Sequence, residues 1–153
     1  DIEEPGHFSG QGSHVYTQMK TENGNVFPDF MGLSNKWNTG SEYLSFYPNV
    51  LLGAHRDHVY AIIIEPISTS KTKEHVSIYY AQKPEEMSSL GALVDANAKF
   101  WKMVFLEDVG VVEGMQSGRH GLLFDGGKFS PAMDGPTHCF HHWVATQVNQ
   151  FRQ

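Results

Sequence analysis

The segment from Lys99 to Gly118 constrains the fold of this chain most, because its apolar residues recur with the period of a helix. Placed on a helix at about 100° per residue, its large apolar side chains gather into one stripe, which continues into the preceding residues. The stripe comprises Met87, Leu90, Val94, Trp101, Val104, Phe105, Val112 and Met115. The pattern predicts a long helix that packs through one face.

One acidic residue of this helix lies on the apolar stripe. Asp108 points within about 20° of the direction of Trp101, whereas Glu107 and Glu113 point well away from it. A carboxylate that is buried without a partner carries a large free-energy penalty or gives up its charge. Asp108 is therefore a metal ligand, a buried partner of an Arg or Lys, or a solvent-exposed residue in a helix of different register. Gly110, which disfavours a helix, indicates a close backbone approach or a local distortion nearby.

The overall composition limits the kinds of partner. A length of 153 residues predicts a single domain, residues 1–153, and a formal charge of −6 without a basic cluster argues against a nucleic-acid partner. The single cysteine, Cys139, excludes an internal disulfide and a cysteine-built metal site within the chain, and it favours a reducing compartment. No stretch approaches the roughly 20 apolar residues of a membrane span. We therefore expect a cytoplasmic protein that does not bind a membrane.

Strand and helix signals follow one another in the order of an α+β protein. Runs of β-branched and aromatic residues predict an antiparallel meander with strands at residues 14–21, 43–47, 49–54, 59–65 and 75–82. The glycine-rich residues 1–13 are predicted to be loop, and residues 22–42 a packed, irregular connection. Pro84 is placed to open the long helix, which should end near Gln116, and a last helix is predicted at residues 136–150.

Several histidines carry weaker signals. His138 and His142 have the i, i+4 spacing that can hold a metal, but they lack the neighbouring glutamate of a metalloprotease helix. We expect them to be surface or subunit-contact side chains. His55 and His58 flank a predicted hairpin turn, where solvated positions are expected. Cys139, on the same helix as His138, is expected to be a packing residue.

Three segments together resemble one protein family. They are residues 46–52 (FYPNVLL), residues 57–66 (DHVY leading to IEP) and, above all, residues 101–108 (WKMVFLED), which Glu113 and Gln116 follow. These segments are similar to the catalytic domain of the large subunit of Rieske-type ring-hydroxylating oxygenases, a family that also contains monooxygenases of quaternary ammonium compounds. The segments 129–131 (FSP) and 140–143 (FHHW) are similar to the end of that domain. The likeness covers roughly residues 43–143.

The resemblance implies a fold and a metal site. The fold would be a helix-grip (START-like) fold, in which a curved antiparallel sheet wraps a long helix, with a further helix at the C-terminus. A mononuclear Fe(II) would be held by two histidines and one carboxylate, with open positions for dioxygen. By its place in the WKMVFLED segment, Asp108 would be the carboxylate. Asn97, Trp101, Val104 and Phe105 precede it on or near the same face and would line the substrate pocket.

The chain departs from the family pattern in its metal-binding motifs. The His-x4-His pair that supplies the other two iron ligands is absent, and so are the Cys-x-His and Cys-x-x-His motifs of the Rieske [2Fe-2S] cluster. The chain also begins without Met. We therefore expect a C-terminal part of an oxygenase catalytic domain, with the Rieske domain and the histidine helix missing, which is inactive by itself.

The sequence thus leads to one favoured function and one alternative. The favoured function is that of a fragment of a Rieske non-heme iron oxygenase that activates dioxygen to hydroxylate a small aromatic or quaternary ammonium substrate. The complete enzyme would receive electrons from a reductase or ferredoxin and could form a homotrimer, as is common in the family. The alternative is a metal-free helix-grip module that binds an apolar ligand.

Overall fold

The computed structural model describes residues 2–4, 6–82 and 85–152. In this part of the chain, six strands form one antiparallel sheet in which each strand pairs with the next. The strands are β1 (Ile2–Glu4), β2 (Phe8–Ser13), β3 (Ser41–Phe46), β4 (Val50–Ala54), β5 (His58–Ser68) and β6 (Lys71–Tyr80). Two helices follow, α1 (Gly91–Arg119) and α2 (Gly135–Phe151), with short 3-10 helices at Asn35–Asn38 and Glu86–Leu90.

The chain divides into two compact units, each held together by contacts among its own residues. The first unit comprises Asp1–Thr17, Asp29–Ala81 and Phe129–Gln153, and it contains the sheet and α2. The second comprises Gln18–Pro28 and Gln82–Lys128, and it contains α1. That the whole chain forms a single domain stays a prediction.

The predicted fold class is confirmed. An antiparallel meander, a long helix and a C-terminal helix are the elements of an α+β protein of the helix-grip class, and they occur here in the predicted order. The irregular connection before β3 and the C-terminal helix are also confirmed, the latter within one residue at each end. Among the described residues, no helix has the length and apolar character needed to cross a bilayer.

The strand predicted at residues 14–21 is wrong. The chain pairs instead at β2, within the glycine-rich stretch that was expected to be loop, and residues 14–19 are irregular. Gly10 provides the physical reason, because a Cβ atom at this position would overlap the carbonyl oxygen of Tyr43 on β3. Strand pairing at this close approach requires a glycine. A glycine-rich sequence, however, usually indicates a loop.

The β5–β6 hairpin is longer than predicted. Residues 68–74 were expected to form its turn, but the strands extend to Ser68 and from Lys71. Polar residues on the two strands pair across the ladder, with Glu65 opposite Lys73 and with His75 Nε2 2.6 Å from the Glu65 carboxylate. Such cross-strand pairs stabilise a sheet whose side chains are exposed.

The long helix is confirmed, but its predicted packing is only partly correct. Pro84 lies outside the described residues, and the α-helix begins at Gly91, after a 3-10 turn that buries Met87. Leu93, Asn97 and Trp101 are buried at a spacing of four residues. Val112 and Met115, which were predicted to pack on the same stripe, are exposed. The buried stripe of α1 therefore ends at Trp101, and the second half of the helix presents apolar side chains at the surface.

The second helix, α2, packs on the sheet of the first unit. The rings of Phe140 and Trp143 lie 5.2 and 5.3 Å from the ring of Tyr47, between their centroids. Ser9 on β2 donates a hydrogen bond of 2.9 Å to the carbonyl oxygen of Pro136, and Tyr47 donates one of 2.7 Å to Ser9. These contacts fix the N-terminal half of α2 against β2 and the β3–β4 turn.

Replacing Gly53 with alanine is expected to lower the free energy of unfolding by about 1–3 kcal/mol. A Cβ atom there would overlap the ring of Tyr60, which is buried and cannot move aside freely. Gly110→Ala is the matched control, because no described atom lies within 4 Å of its added Cβ and α1 would gain up to about 1 kcal/mol in helix propensity. Urea denaturation of the two variants measures both effects. Equal effects at the two positions would contradict the packing described here.

Candidate functional site

Five residues of α1 were predicted to form the site, and all lie on or near one face of this helix. Asn97 and Trp101 are 3% and 7% exposed, whereas Val104 and Phe105 are half-buried. The rings of Trp101 and Phe105 are stacked, with centroids 5.7 Å apart and planes at 22°. An amide, an indole and a phenyl ring thus follow one another along the face that ends at Asp108.

Asp108 itself is exposed, as in the solvent-exposed alternative that the sequence left open. The helix has the predicted register, and Asp108 still shares the direction of Trp101 to within about 20°. Its exposure arises because burial along this face ends one turn earlier, and the residues that surround Asp108 on the helix, such as Leu106 and Val109, are exposed too. An exposed carboxylate needs no buried partner, so the charge of Asp108 does not by itself require a metal ion.

The residues present do not complete the iron site that the resemblance implies. Among the described residues, no group of three or more His, Cys, Asp or Glu side chains is arranged to hold a metal ion. Asp108 can offer one carboxylate, and two further ligands would have to come from outside these residues. No step of a reaction is therefore assigned to a metal within the described chain.

The turn between β4 and β5 holds a second group of titratable side chains, which the sequence analysis missed. His55 and His58 were expected to be solvated, but they are 2% and 1% exposed, and Asp57 between them is 0% exposed. His55 N–H donates to the carbonyl oxygen of His58 at 3.0 Å, which closes the turn. The expectation of a solvated turn is wrong because contacts within the first unit, such as the hydrogen bond from Tyr16 to Asp57, hold these polar groups in the interior.

The carboxylate of Asp57 is the centre of this network. The hydroxyl of Tyr16, 41 positions earlier, donates to Asp57 Oδ1 at 2.7 Å, and His58 Nδ1 lies 2.8 Å from the same oxygen. A carboxylate accepts hydrogen bonds, and His58 Nδ1 is placed to donate one to this oxygen. Burial, followed by the hydrogen bond to Asp57, raises the pKa of Tyr16 above its usual range. The Asp57 cluster is defined here as Tyr16, Tyr43, His55, Asp57 and His58.

The second histidine of the Asp57 cluster is stacked on the first. The rings of His55 and His58 have centroids 4.5 Å apart and planes at 12°, and the Tyr43 hydroxyl lies 3.5 Å from His55 Nε2. Ser41 donates a hydrogen bond of 3.3 Å to the same Tyr43 hydroxyl. Burial and the neighbouring His58 together lower the pKa of His55 to about 4. His55 is therefore neutral at pH 7.

Arg56 binds a segment that is distant in the sequence, residues 29–38, to the same turn. Its guanidinium forms a bidentate ion pair with Asp29, one bond of which is 2.8 Å long, and it donates to the carbonyl oxygen of Asn38 at 3.3 Å. Phe30 N–H donates to the Arg56 carbonyl oxygen at 2.8 Å. The hydrogen bond and charge of Asp29 raise the pKa of Arg56. The turn thus holds residues 29–38 as well as Tyr16.

A signal for the buried turn is present in the sequence. His58 is the first residue of β5, and it shares the strand parity of Tyr60 and Ile62, which are buried on alternate positions. Extending the alternation backwards by two residues would have placed His58 on the buried face. The alternation was not extended to His58 because all residues of the turn are polar.

The remaining candidates lie at the surface of α2. His138, His141 and His142 are exposed, and Cys139 is half-buried. Phe129 meets His138 and His141 edge to face, with centroid distances of 5.1 and 5.2 Å. The two imidazoles therefore pack on an aromatic ring.

The sequence of this chain matches a protein family and a relative of known name. The family model for the catalytic domain of the ring-hydroxylating alpha subunit matches residues 4–150. A putrescine 2-hydroxylase of Ralstonia nicotianae is 32% identical over 110 residues, an alignment that covers 68% of this chain and 29% of that protein. The chain thus spans less than a third of the length of this relative. No solved structure gives a significant match.

Proposed function

This chain belongs to the family of ring-hydroxylating alpha-subunit catalytic domains, and we propose that it forms part of a Rieske non-heme iron oxygenase. The complete enzyme would use dioxygen to hydroxylate a small organic substrate. The observation that supports this most is the match of the family model to residues 4–150, nearly the whole chain. The segment from Trp101 to Asp108, which carries the sequence resemblance, lies within this match as one continuous piece of helix.

Asp108 is proposed as the carboxylate ligand of a mononuclear Fe(II). A hard, anionic oxygen ligand suits this ion, and the exposure of Asp108 leaves both of its oxygens accessible. The two histidine ligands would come from residues outside those described. When bound, the iron would supply the activation of dioxygen, with electrons from a reductase or ferredoxin through a Rieske [2Fe-2S] cluster. A cytoplasmic location and a homotrimer are parts of the same proposal.

Asn97, Trp101, Val104 and Phe105 are proposed to line the substrate pocket. They lead along α1 towards Asp108, and they combine one amide with a surface that is otherwise apolar and aromatic. Pockets for small ligands usually have this composition, with a few polar groups that orient the ligand. In this proposal, the side chain of Asn97 orients the substrate, and the aromatic pair excludes water from it.

The proposed substrate class is a small organic amine or ammonium compound. The name of the relative, a putrescine 2-hydroxylase, favours an aliphatic amine over an aromatic ring. In this proposal the indole face of Trp101 that Phe105 does not cover attracts the positive charge of the substrate.

The test is an assay of the full-length protein with ferrous iron, a reductase and isotopically labelled dioxygen. Putrescine, a quaternary ammonium compound and an aromatic acid are supplied in parallel, and the products are analysed by mass spectrometry. We expect one labelled oxygen atom in the product of an amine substrate, and no turnover by the 153-residue chain alone. Binding of a ligand without oxygen incorporation, with no iron in the protein, would favour the metal-free binding module instead.

A further inference from the structure

The Asp57 cluster places two histidines against one carboxylate in a buried position. The imidazoles of His55 and His58 are stacked at 4.5 Å, and Asp57, which is fully buried, accepts hydrogen bonds from His58 and Tyr16. An imidazolium at His55 would be a buried charge stacked on His58, and the low polarity of the interior makes such a charge costly.

We propose that the Asp57 cluster is an acid-sensitive switch: the β4–β5 turn stays closed while His55, stacked on His58, is neutral, and it opens when His55 takes up a proton and becomes positively charged. This inference does not depend on the proposed function.

Four tyrosines from different elements face the histidines. Within the described first unit, Tyr16 reaches the stack from the segment after β2, Tyr43 from β3, Tyr60 from β5 and Tyr80 from β6. Phenols are neutral in the acidic range. Burial further raises the pKa of Tyr60, to about 12, and that of Tyr80.

Arg56 and Asp29 form an ion pair at the same turn, so together they add no net charge to the surroundings of the stack. A positive charge on His55 would have Asp57 as a nearby carboxylate, but Asp57 already accepts hydrogen bonds from Tyr16 and His58.

The sign of the pH effect follows from the state of His55. In the closed turn its pKa is lowered to about 4, mainly by burial, whereas a solvated histidine titrates near 6.5. As the pH falls, the open form therefore takes up a proton on His55 before the closed form does. The stability of the closed turn is fully present above about pH 6.5 and falls as the pH drops from there towards about 4.

Opening the turn would release more than the two histidines. The hydrogen bond from His55 N–H to the His58 carbonyl closes the turn, Arg56 holds residues 29–38 beside it, and Asp57 holds Tyr16. Acid would therefore loosen three segments of the first unit together. α2, which contacts β1 and β2 instead, should stay protected.

Hydrogen–deuterium exchange of the full-length protein between pH 7.5 and 5 tests this switch. Exchange rates corrected for their intrinsic pH dependence give the equilibrium constant for opening. In peptides that span residues 53–62, this constant should rise by about tenfold per pH unit below pH 6. Peptides from α2 should show no such rise. His55→Gln should remove the pH dependence, because a glutamine side chain does not take up a proton in this pH range. His75→Gln, which alters an exposed histidine paired with Glu65, should retain it.

Equal pH dependence in the protein and in His55→Gln would overturn the switch, and so would its loss in His75→Gln. A measurement on the unaltered protein covers the case in which His55→Gln does not fold. With carbon-13-labelled histidine, the NMR signal of His55 should keep its neutral position down to about pH 5. A titration of His55 near its ordinary value of about 6.5 would also overturn the proposal.

Discussion

Full-length protein that carries Asp108→Ala is expected to lose hydroxylation activity by about 100-fold or more, because residues that only support a metal ligand already cost 10–100-fold when they are removed. The loss should not come from misfolding. Asp108 is exposed, so its truncation should change the free energy of unfolding by no more than about 0.5 kcal/mol. Turnover of the best substrate and urea denaturation measure the two quantities.

Glu107→Ala is the matched control for this variant. Glu107 is an exposed acidic residue of the same helix turn, and it points about 100° away from Asp108. It should retain both activity and stability. If Glu107→Ala lost as much turnover as Asp108→Ala, the effect would belong to the charge of this helix surface, and the assignment of Asp108 as a ligand would fall.

Asp57→Ala is expected to give the largest loss of stability, about 3–5 kcal/mol, because it removes one partner of a buried pair. The Tyr16 hydroxyl and His58 Nδ1 would both lose their shared acceptor inside the first unit. Urea denaturation at pH 7.5 measures this loss. Exchange of the 53–62 peptides would rise in parallel, since the β4–β5 turn depends on the same contacts.

The control for this variant is Asp29→Ala, which breaks the ion pair with Arg56. That pair is partly exposed, with 39% of the Asp29 side chain accessible, so its loss should cost about 0–1 kcal/mol. A similar loss for both variants, or a loss below about 1 kcal/mol for Asp57→Ala, would contradict the central position of Asp57 in the network.

The sequence predicted those parts of the fold in which side-chain periodicity matches the local structure. Strands β3 to β5 and the helices α1 and α2 show this match, and they lie close to their predicted positions. β2 was missed because its pairing depends on the missing side chain of Gly10, which has no signal within the strand itself. The extent of the β5–β6 hairpin was missed because its exposed strands are as polar as a turn.

In the candidate site, too, the features that depend on local periodicity were predicted, and those that depend on distant residues were not. Helical periodicity predicted that Asp108 shares a face with Trp101, since this depends only on the helix. The degree of burial of Asp108 depends on which atoms cover the second half of α1, and periodicity does not contain this information. The Asp57 cluster was missed because Tyr16, the residue that satisfies Asp57, lies 41 positions away in the sequence.

Iron analysis of the full-length protein tests most directly whether Asp108 belongs to an oxygenase metal centre. The unaltered protein and Glu107→Ala should contain a mononuclear iron in addition to the iron of the Rieske cluster. Asp108→Ala should lose the mononuclear iron and keep the cluster, whose visible absorption serves as the internal reference. An unchanged iron content in Asp108→Ala, with the cluster intact, would contradict the proposed role of Asp108.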